Sequence, residues 1–264
     1  MTDTTFAGND GEGKNYSNPE ELWVQQKDGD GTHTSWYQKA VSYWDTQEAS
    51  YNGVLGGFGF VSDIDVKDSR QLLSRAMKGH LEQAHAGLRS LVALDCGAGV
   101  GRVTREFLIH HFQEVDLLEP SKPLLQCAEK NLRPGSKKLI GVPPGNKAVN
   151  FYNQGLQQHI FEAGRYDCIW IQWCLLYLTD ADVVSMFDRA RHGLKADGLI
   201  FVKENVCCKT GFVVDNDDSS LTRSNAYFVE LFEKSNMQLL QSAKQKHFPK
   251  DVFEVWMHVL KPKS

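Results

Sequence analysis

Two short stretches of this chain gather residues able to do chemistry at the ends of apolar runs. In "ALDCGAGVGR", positions 93–102, an acid, three alternate glycines and an arginine follow a short hydrophobic segment. Glycines let a backbone approach a ligand closely, and the N–H groups opening a helix favour an anion. The second stretch is "LIFVKENVCCKTGFVVDNDDSS", positions 199–220. An apolar run climbs to a Lys-Glu-Asn edge, and a loop then delivers Asp215, Asn216, Asp217 and Asp218, followed by two serines. Crowded carboxylates repel one another. They are tolerated on a solvated loop, or wanted where something cationic must sit.

The glycine spacing, Asp95-x-Gly97-x-Gly99-x-Gly101, narrows the ligand. Arg102 stands where a G-x-G-x-x-G dinucleotide fingerprint needs its third glycine, and no G-K-[ST] follows to make a P-loop. S-adenosylmethionine (AdoMet) remains. Its anion is a carboxylate, which Arg102 can clamp by charge-assisted hydrogen bonds. Glu119 ends the next apolar run and can accept both hydroxyls of a ribose.

These residues need a scaffold, and the hydrophobic pattern predicts one. "LVALD", "EVDLLE", "AVNFYNQG", "YDCIWIQWCLLYL" and "LIFVKE" read as strands. "RVTREFLIHHF", "KPLLQCAEKNL", "ADVVSMFDRARHGLK" (closed by "ADG") and "RSNAYFVELFEKSN" read as helices between and after them. Such alternation predicts an α/β fold, a mostly parallel sheet covered on both faces. "MQLLQSAKQ" and "VFEVWMHVLK" add two final strands with an antiparallel finish, making seven. Upstream, Trp36, Ala40, Tyr43 and Trp44 recur at helical spacing in "TSWYQKAVSYWDTQ". The glycines of "NGVLGGFGF" mark a flexible loop, after which Asp68 or Ser69 is expected to cap a helix. Residues 1–32, polar apart from "ELWV", are expected to be a mostly disordered tail, with that island able to dock on the body. Residues 33–264 then form one domain, of which 33–88 are a helical cap and lid loop.

Composition excludes several classes. A net charge of -4 lacks the basic excess of a general nucleic-acid binder. No stretch approaches the roughly 18 apolar residues of a membrane helix, and the N-terminus has no basic-then-apolar leader. The six cysteines form no C-x-x-C pair and mostly sit in strand-like runs, so buried free thiols in a reducing compartment are expected. The chain therefore reads as soluble and intracellular, cytoplasmic or nuclear, with a monomer as the default. His110 and His111 suit a helix C-terminus rather than a metal, and Cys207 and Cys208, like Met237 and Met257, read as packing.

"ALDCGAGVGR", "VDLLE", "YDCIWIQWCLLYLTD", "LKADGLIFVKEN" and "VVDNDDSS", with the upstream "SYW" and "NGVLGGFGFVSDID", resemble the eukaryotic protein N-terminal methyltransferases from about Trp36 to Leu260. The resemblance implies the Rossmann-like class I methyltransferase fold. It implies AdoMet as cofactor and, as substrate, the free α-amine of proteins that begin Xaa-Pro-Lys once methionine is removed. It assigns Gly97, Gly99 and Arg102 to the cofactor loop, Glu119 to the ribose and Gln172 to a contact near the sulfonium. Trp44 would close over the cofactor, and Leu55 would belong to a lid over the substrate channel. Trp173 would pack on the substrate proline, Asn205 would position its N-terminus, and Asp215, Asp218 and Ser220 would line the peptide channel. Two positions depart from the family pattern: Tyr177 stands where a histidine is frequent, and Phe253 where a tyrosine is.

Methyl transfer from a sulfonium is an in-line displacement, so the amine must arrive with a free lone pair. Asp218 is the expected proton acceptor, directly or through water, with Tyr177 as its hydrogen-bonding partner. Carboxylates past the fifth strand would attract a positive N-terminus and a third-residue lysine. Two rival readings keep the cofactor residues: a small-molecule methyltransferase without the peptide channel, and a non-catalytic partner subunit. The intact glycine loop disfavours the latter.

Overall fold

The computed structural model describes residues 6–207 and 211–263; Cys208 lies outside them. The chain opens with strands β1 (Gly8–Asp10) and β2 (Asn15–Tyr16) and helix α1 (Pro19–Gln25). Helices α2 (Thr34–Thr46), α3 (Tyr51–Val54), α4 (Ser62–Ala76) and α5 (Lys78–His85) follow. Then come β3 (Val92–Cys96), α6 (Arg102–Glu106), β4 (Glu114–Leu118), α7 (Lys122–Leu132), β5 (Lys147–Tyr152), β6 (Tyr166–Gln172), α8 (Asp180–Gly193) and β7 (Leu194–Val206). A hairpin of β8 (Phe212–Asp215) and β9 (Ser220–Arg223), helix α9 (Asn225–Lys234) and strands β10 (Met237–Lys244) and β11 (Glu254–Pro262) complete it.

Seven strands form the main sheet in the order β10-β11-β7-β6-β3-β4-β5. The neighbours from β7 to β5 are parallel, and β11 runs antiparallel to both β7 and β10, as the strand pattern predicted. β3 and β6 read as largely apolar runs because both are fully buried, with Asp95, Asp167 and Gln172 as their buried polar members. Alternate residues feed the two faces. Leu94, Ile169 and Ile171 join α8 and α9 side chains in one core, and Ala93, Cys168 and Trp170 join α4, α5 and α7 side chains in the other. From β3 the chain winds outward to β4 and β5, then returns to β6 on the other side of β3. The loops after β3 and β6 therefore part at the topological switch point, where open α/β sheets hold ligands.

Several expectations need correction. Residues 6–32 are folded rather than mostly disordered: Phe6, Tyr16, Leu22 and Trp23 are buried in the α8/α9-side core. Their partners come from distant parts of the chain, so the polar composition around them misled. α4 starts at Ser62, with no side-chain cap, and Asp68 and Ser69 lie inside it. The "RVTREFLIHHF" helix breaks at Phe107 into α6 and a 3-10 turn over Leu108–His110. "ADG" does not close a helix but belongs to β7, which starts at Leu194. The "RSNAYFVELFEKSN" helix, α9, starts only at Asn225, with the Ser224 side chain capping it by accepting the Tyr227 N–H. Cys96, Cys168 and Cys174 are buried free thiols, Cys207 is buried and Cys127 is half-buried. Among the described residues, no helix is long and apolar enough to cross a membrane.

Candidate active site

The glycine loop leaves β3 through three residues in the left-handed region, Gly97, Gly99 and Gly101, at φ 70, 54 and 77°. A Cβ on Gly97 would lie 2.9 Å from the Cys174 Cβ, so the loop packs directly against the turn that follows β6. Gly97 and Ala98 N–H donate to the Leu118 carbonyl at the end of β4, at 2.8 and 3.1 Å. The Gly99 N–H donates to Glu119 Oε2 at 2.8 Å, and the Ser121 N–H to Glu119 Oε1 at 2.8 Å. Burial pushes the Glu119 carboxyl up to about 7, against the pull of these two N–H groups.

Arg102 opens α6 but turns inward. It is 4% exposed, and its Nη1 donates to Asp65 Oδ2 at 2.8 Å and Ser62 Oγ at 3.3 Å. Asp65 is the hub of a buried cluster that sequence reasoning missed. It pairs with Lys203 at 2.5 Å, and both its oxygens accept from Gln172 Nε2, at 2.9 and 3.0 Å. Burial alone would raise the Asp65 pKa, but Lys203 and Arg102 hold it below the usual carboxylate value. Residues from α4, α6, β6 and β7 meet here, at separations no local pattern reveals.

The turn after β6 carries the next group. Trp173 sits at φ 51°, a region costly for a side chain of this size. The conformation is held by its N–H donating to the Lys203 carbonyl at 2.9 Å. It is held also by Glu204 Oε1, which accepts the next two N–H groups, Cys174 and Leu175, both at 2.7 Å. The Trp173 ring lies 5.7 Å from the Arg102 guanidinium, and its Nε1 donates to Asn205 Oδ1 at 3.0 Å. One aromatic thus joins the cofactor-loop arginine to the asparagine at the end of β7. Glu204 is 1% exposed and its Oε2 has no partner among the described residues. Burial pushes its carboxyl up to about 8.

A third chain of contacts crosses from α2 to the hairpin. Trp44 Nε1 donates to the Tyr177 hydroxyl at 2.9 Å, and that hydroxyl donates to Asp218 Oδ2 at 3.1 Å. Burial, with the Asp218 carboxylate beside it, raises the Tyr177 pKa well above its usual value, so Tyr177 is a proton donor in a hydrogen bond and not a base. Burial raises Asp218 in turn, with Asp215 adding to the effect and Ser220 and Tyr177 opposing it. Asp218 Oδ1 is buried and has no partner among the described residues. Asp215 is exposed and faces Ser220 across the β8–β9 register. Leu55 ends α3, half-buried, beside Val54, which packs on the glycine loop at Gly99. Phe253 is exposed and immediately precedes β11.

Between these groups lies a crevice of ≈ 490 Å³ of empty space, its mouth included, walled by Tyr37, Trp44, Gly97, Leu118, Leu156 and Tyr177 among others. Tyr37 and Leu156 had no signal in the sequence. Helix α2 covers the crevice and is tied down by Trp36 Nε1 donating to the Tyr177 carbonyl at 2.8 Å and by Ser121 Oγ donating to Asp45 at 2.7 Å. An apolar wall suits a flat purine. A buried carboxylate at the end of β4 suits a ribose, and a partly engaged guanidinium suits a carboxylate. The residues present fit AdoMet.

A profile of the family described as "AdoMet dependent proline di-methyltransferase" matches residues 32–261. The chain belongs to this family. Alpha N-terminal protein methyltransferase 1 of Arabidopsis thaliana is 44% identical over 97% of this chain and 91% of its own length. N-terminal Xaa-Pro-Lys N-methyltransferase 1-B of Xenopus laevis is 32% identical over 86% of this chain and 96% of its own. A solved SAM-dependent methyltransferase of Leishmania major superposes with a TM-score of 0.83 at 35% identity, covering 99% of this chain and 98% of that one. The fold is that of the class I methyltransferases, as the sequence pattern implied, and the protein is an AdoMet-dependent methyltransferase.

Proposed function

We propose that this protein transfers methyl groups from AdoMet to the free α-amine of protein chains that begin Xaa-Pro-Lys. The observation that carries the assignment within this site is Asp218: a half-buried carboxylate with one oxygen fixed by Tyr177 and the other buried without a partner among the described residues, at the foot of an acidic loop. An α-amine has a pKa of about 7.7–8.0, so only about a tenth to a fifth is neutral at pH 7. A carboxylate with a raised pKa and an open lone pair is suited to take the surplus proton.

Bound AdoMet supplies an electrophilic methyl group, and the chain's own residues do the rest. Arg102 has Nε and Nη2 to offer the cofactor carboxylate, Glu119 receives the ribose hydroxyls, and Gly97 and Gly99 let the backbone come close. Gln172 is held by Asp65 beside the same site, and Trp44 closes over it from α2. Trp173 presents a rigid face to a second-position proline. Asn205 Oδ1 is occupied by Trp173, so its amide nitrogen is what it can donate to the peptide. Asp215 attracts the third-position lysine, Ser220 lines the channel beside it, and Leu55 belongs to the lid. These residues would hold the amine oriented toward the methyl group that AdoMet would supply, and such orientation contributes to the rate. The buried free thiols fit a reducing compartment, the cytoplasm or the nucleus.

The test is mass spectrometry of a Ser-Pro-Lys-Arg peptide incubated with the protein and AdoMet, beside an N-terminally acetylated copy. Methyl mass gain on the free peptide alone is expected. No gain on either, with AdoMet binding shown by calorimetry, would transfer the assignment to a small-molecule amine or carboxylate.

A further inference from the structure

The N-terminal residues lie against the hairpin that carries the acidic loop. Gly8, Asn9 and Asp10 pair in parallel with Phe212, Val213 and Val214, completing a second sheet in the order β2-β1-β8-β9. The approach is close enough that a Cβ on Gly8 would fall 2.3 Å from the Phe212 ring. The Phe6 ring stacks on Tyr227 at 4.4 Å, and Tyr16 lies 6.0 Å from Phe212. Phe6 and Tyr16 are each 3% exposed, so this contact is part of the core.

At the end of that ladder stands Asp10, 6% exposed. Its Oδ1 accepts the N–H groups of Glu12 and Lys14, at 3.0 and 2.9 Å, which closes the β1–β2 turn. Its Oδ2 accepts from the side-chain amide of Asn216 at 3.2 Å and, more weakly, from the Tyr16 hydroxyl at 3.5 Å. Asn216 opens the turn between β8 and β9. The same turn contains Asp215 accepting the Asp217 N–H at 2.8 Å, Asp218 bonded to Tyr177, and Ser219 at φ 56°. A two-stranded hairpin is marginal by itself, and without β1 the outer side of β8 would be a free edge.

We propose that the N-terminal segment is a positioning element for the peptide substrate: through Asn216, Asp10 fixes the acidic turn in the shape that receives the substrate's cationic start. Asp10 touches neither the reacting atoms nor the cofactor crevice. The inference rests on the α-amine reading of the site and adds to it a part of the chain outside the catalytic fold.

The test uses the full chain with Asp10→Asn, Asn216→Ala and the pair together. The Asp10→Asn change keeps a carbonyl oxygen for the β1–β2 turn but points an amide at the Asn216 amide; the Tyr16 hydroxyl, which also donates to Oδ2, can turn to accept from that amide, so the Asn216 contact is the one broken. The Ser-Pro-Lys-Arg KM rises about fivefold in either variant, the size of one lost hydrogen bond. kcat stays within about twofold and the AdoMet Kd is unchanged, because the crevice keeps its walls. The double variant is no worse than either single, since both remove the same contact. An unchanged KM, additive effects, or a parallel loss of AdoMet binding would overturn the proposal. Amide hydrogen exchange at Asp217 and at Ser220–Thr222, read without substrate, becomes faster in both variants. If the unaltered protein methylates no peptide, the α-amine reading fails and the peptide role of Asp10 falls with it. Exchange then decides separately whether Asp10 holds the turn.

Discussion

Replacing Glu204 by glutamine probes the support beneath Trp173. The carboxyl is buried, pushed up to about 8, and holds two backbone N–H groups through Oε1. In the unfolded chain it titrates near the ordinary value of about 4.3. Between these two values the folded protein retains a proton that the unfolded chain has released. Stability is therefore greatest below the lower value, falls as pH rises, and has lost this contribution once pH passes the upper one. Glutamine keeps the accepting oxygen and carries no such proton, so the variant lacks this slope. The stability difference, variant minus unaltered protein, grows by about 1.4 kcal/mol per pH unit and reaches about 4 kcal/mol between pH 5 and pH 8. Asp95 and Glu119, pushed up to about 6 and about 7 by burial, titrate alike in both proteins and cancel. The assay is denaturant unfolding followed by tryptophan fluorescence at pH 5, 6, 7 and 8 and constant ionic strength. Near-equal stability at pH 5 and a widening advantage for glutamine are expected. A difference that stays flat, or narrows as pH rises, would refute the claim that Glu204 is protonated in the folded site.

Tyr177→Phe removes the hydroxyl between Trp44 and Asp218. A bond to a charged group is worth about 1.5–3 kcal/mol, so kcat/KM should fall roughly 10- to 100-fold. The acid limb of its pH profile should also move to higher pH, because Asp218 loses a donor that lowers its pKa; a full-rate variant with an unmoved limb would contradict this. Gly97→Ala places a Cβ at φ 70° and 2.9 Å from Cys174. With about 1–2 kcal/mol of backbone strain at the cofactor loop, AdoMet binding by calorimetry should weaken roughly 5- to 30-fold on an intact fold seen by circular dichroism. Asp65→Asn leaves Arg102 and Lys203 buried without their shared carboxylate. It should destabilise the protein by about 3–5 kcal/mol, read as a lowered melting temperature.

What the sequence made legible, and what it hid, follows from the range of the interactions. β3 and β6 could be read because strands buried on both faces are mostly apolar, and the glycine loop because its left-handed backbone restricts residue type. Trp173, Asn205, Tyr177 and Asp218 were singled out through the family resemblance; in the structure Tyr177 lines the crevice and donates to Asp218, and Trp173 donates to Asn205. The Asp65 cluster was hidden because its four residues come from four separate elements. Glu204 was hidden because a Lys-Glu-Asn run reads as a solvated strand edge, whereas Lys203 and Glu204 are each 1% exposed. The start of α4 was missed because no side chain caps it. The fold of residues 6–32 was missed because Phe6 and Tyr16 find their partners at Tyr227 and Phe212, far along the chain.

The most direct test of the account sites the methyl group within a product. Ser-Pro-Lys-Arg offers two nitrogens of similar chemistry, the α-amine and the lysine side-chain amine, and fragmentation by tandem mass spectrometry separates them. The account predicts that every added methyl lies on the first residue's nitrogen, with the lysine unmodified. Methyl groups on the lysine side chain would contradict it, because the acidic loop would then deliver that amine, and not the chain terminus, to the cofactor.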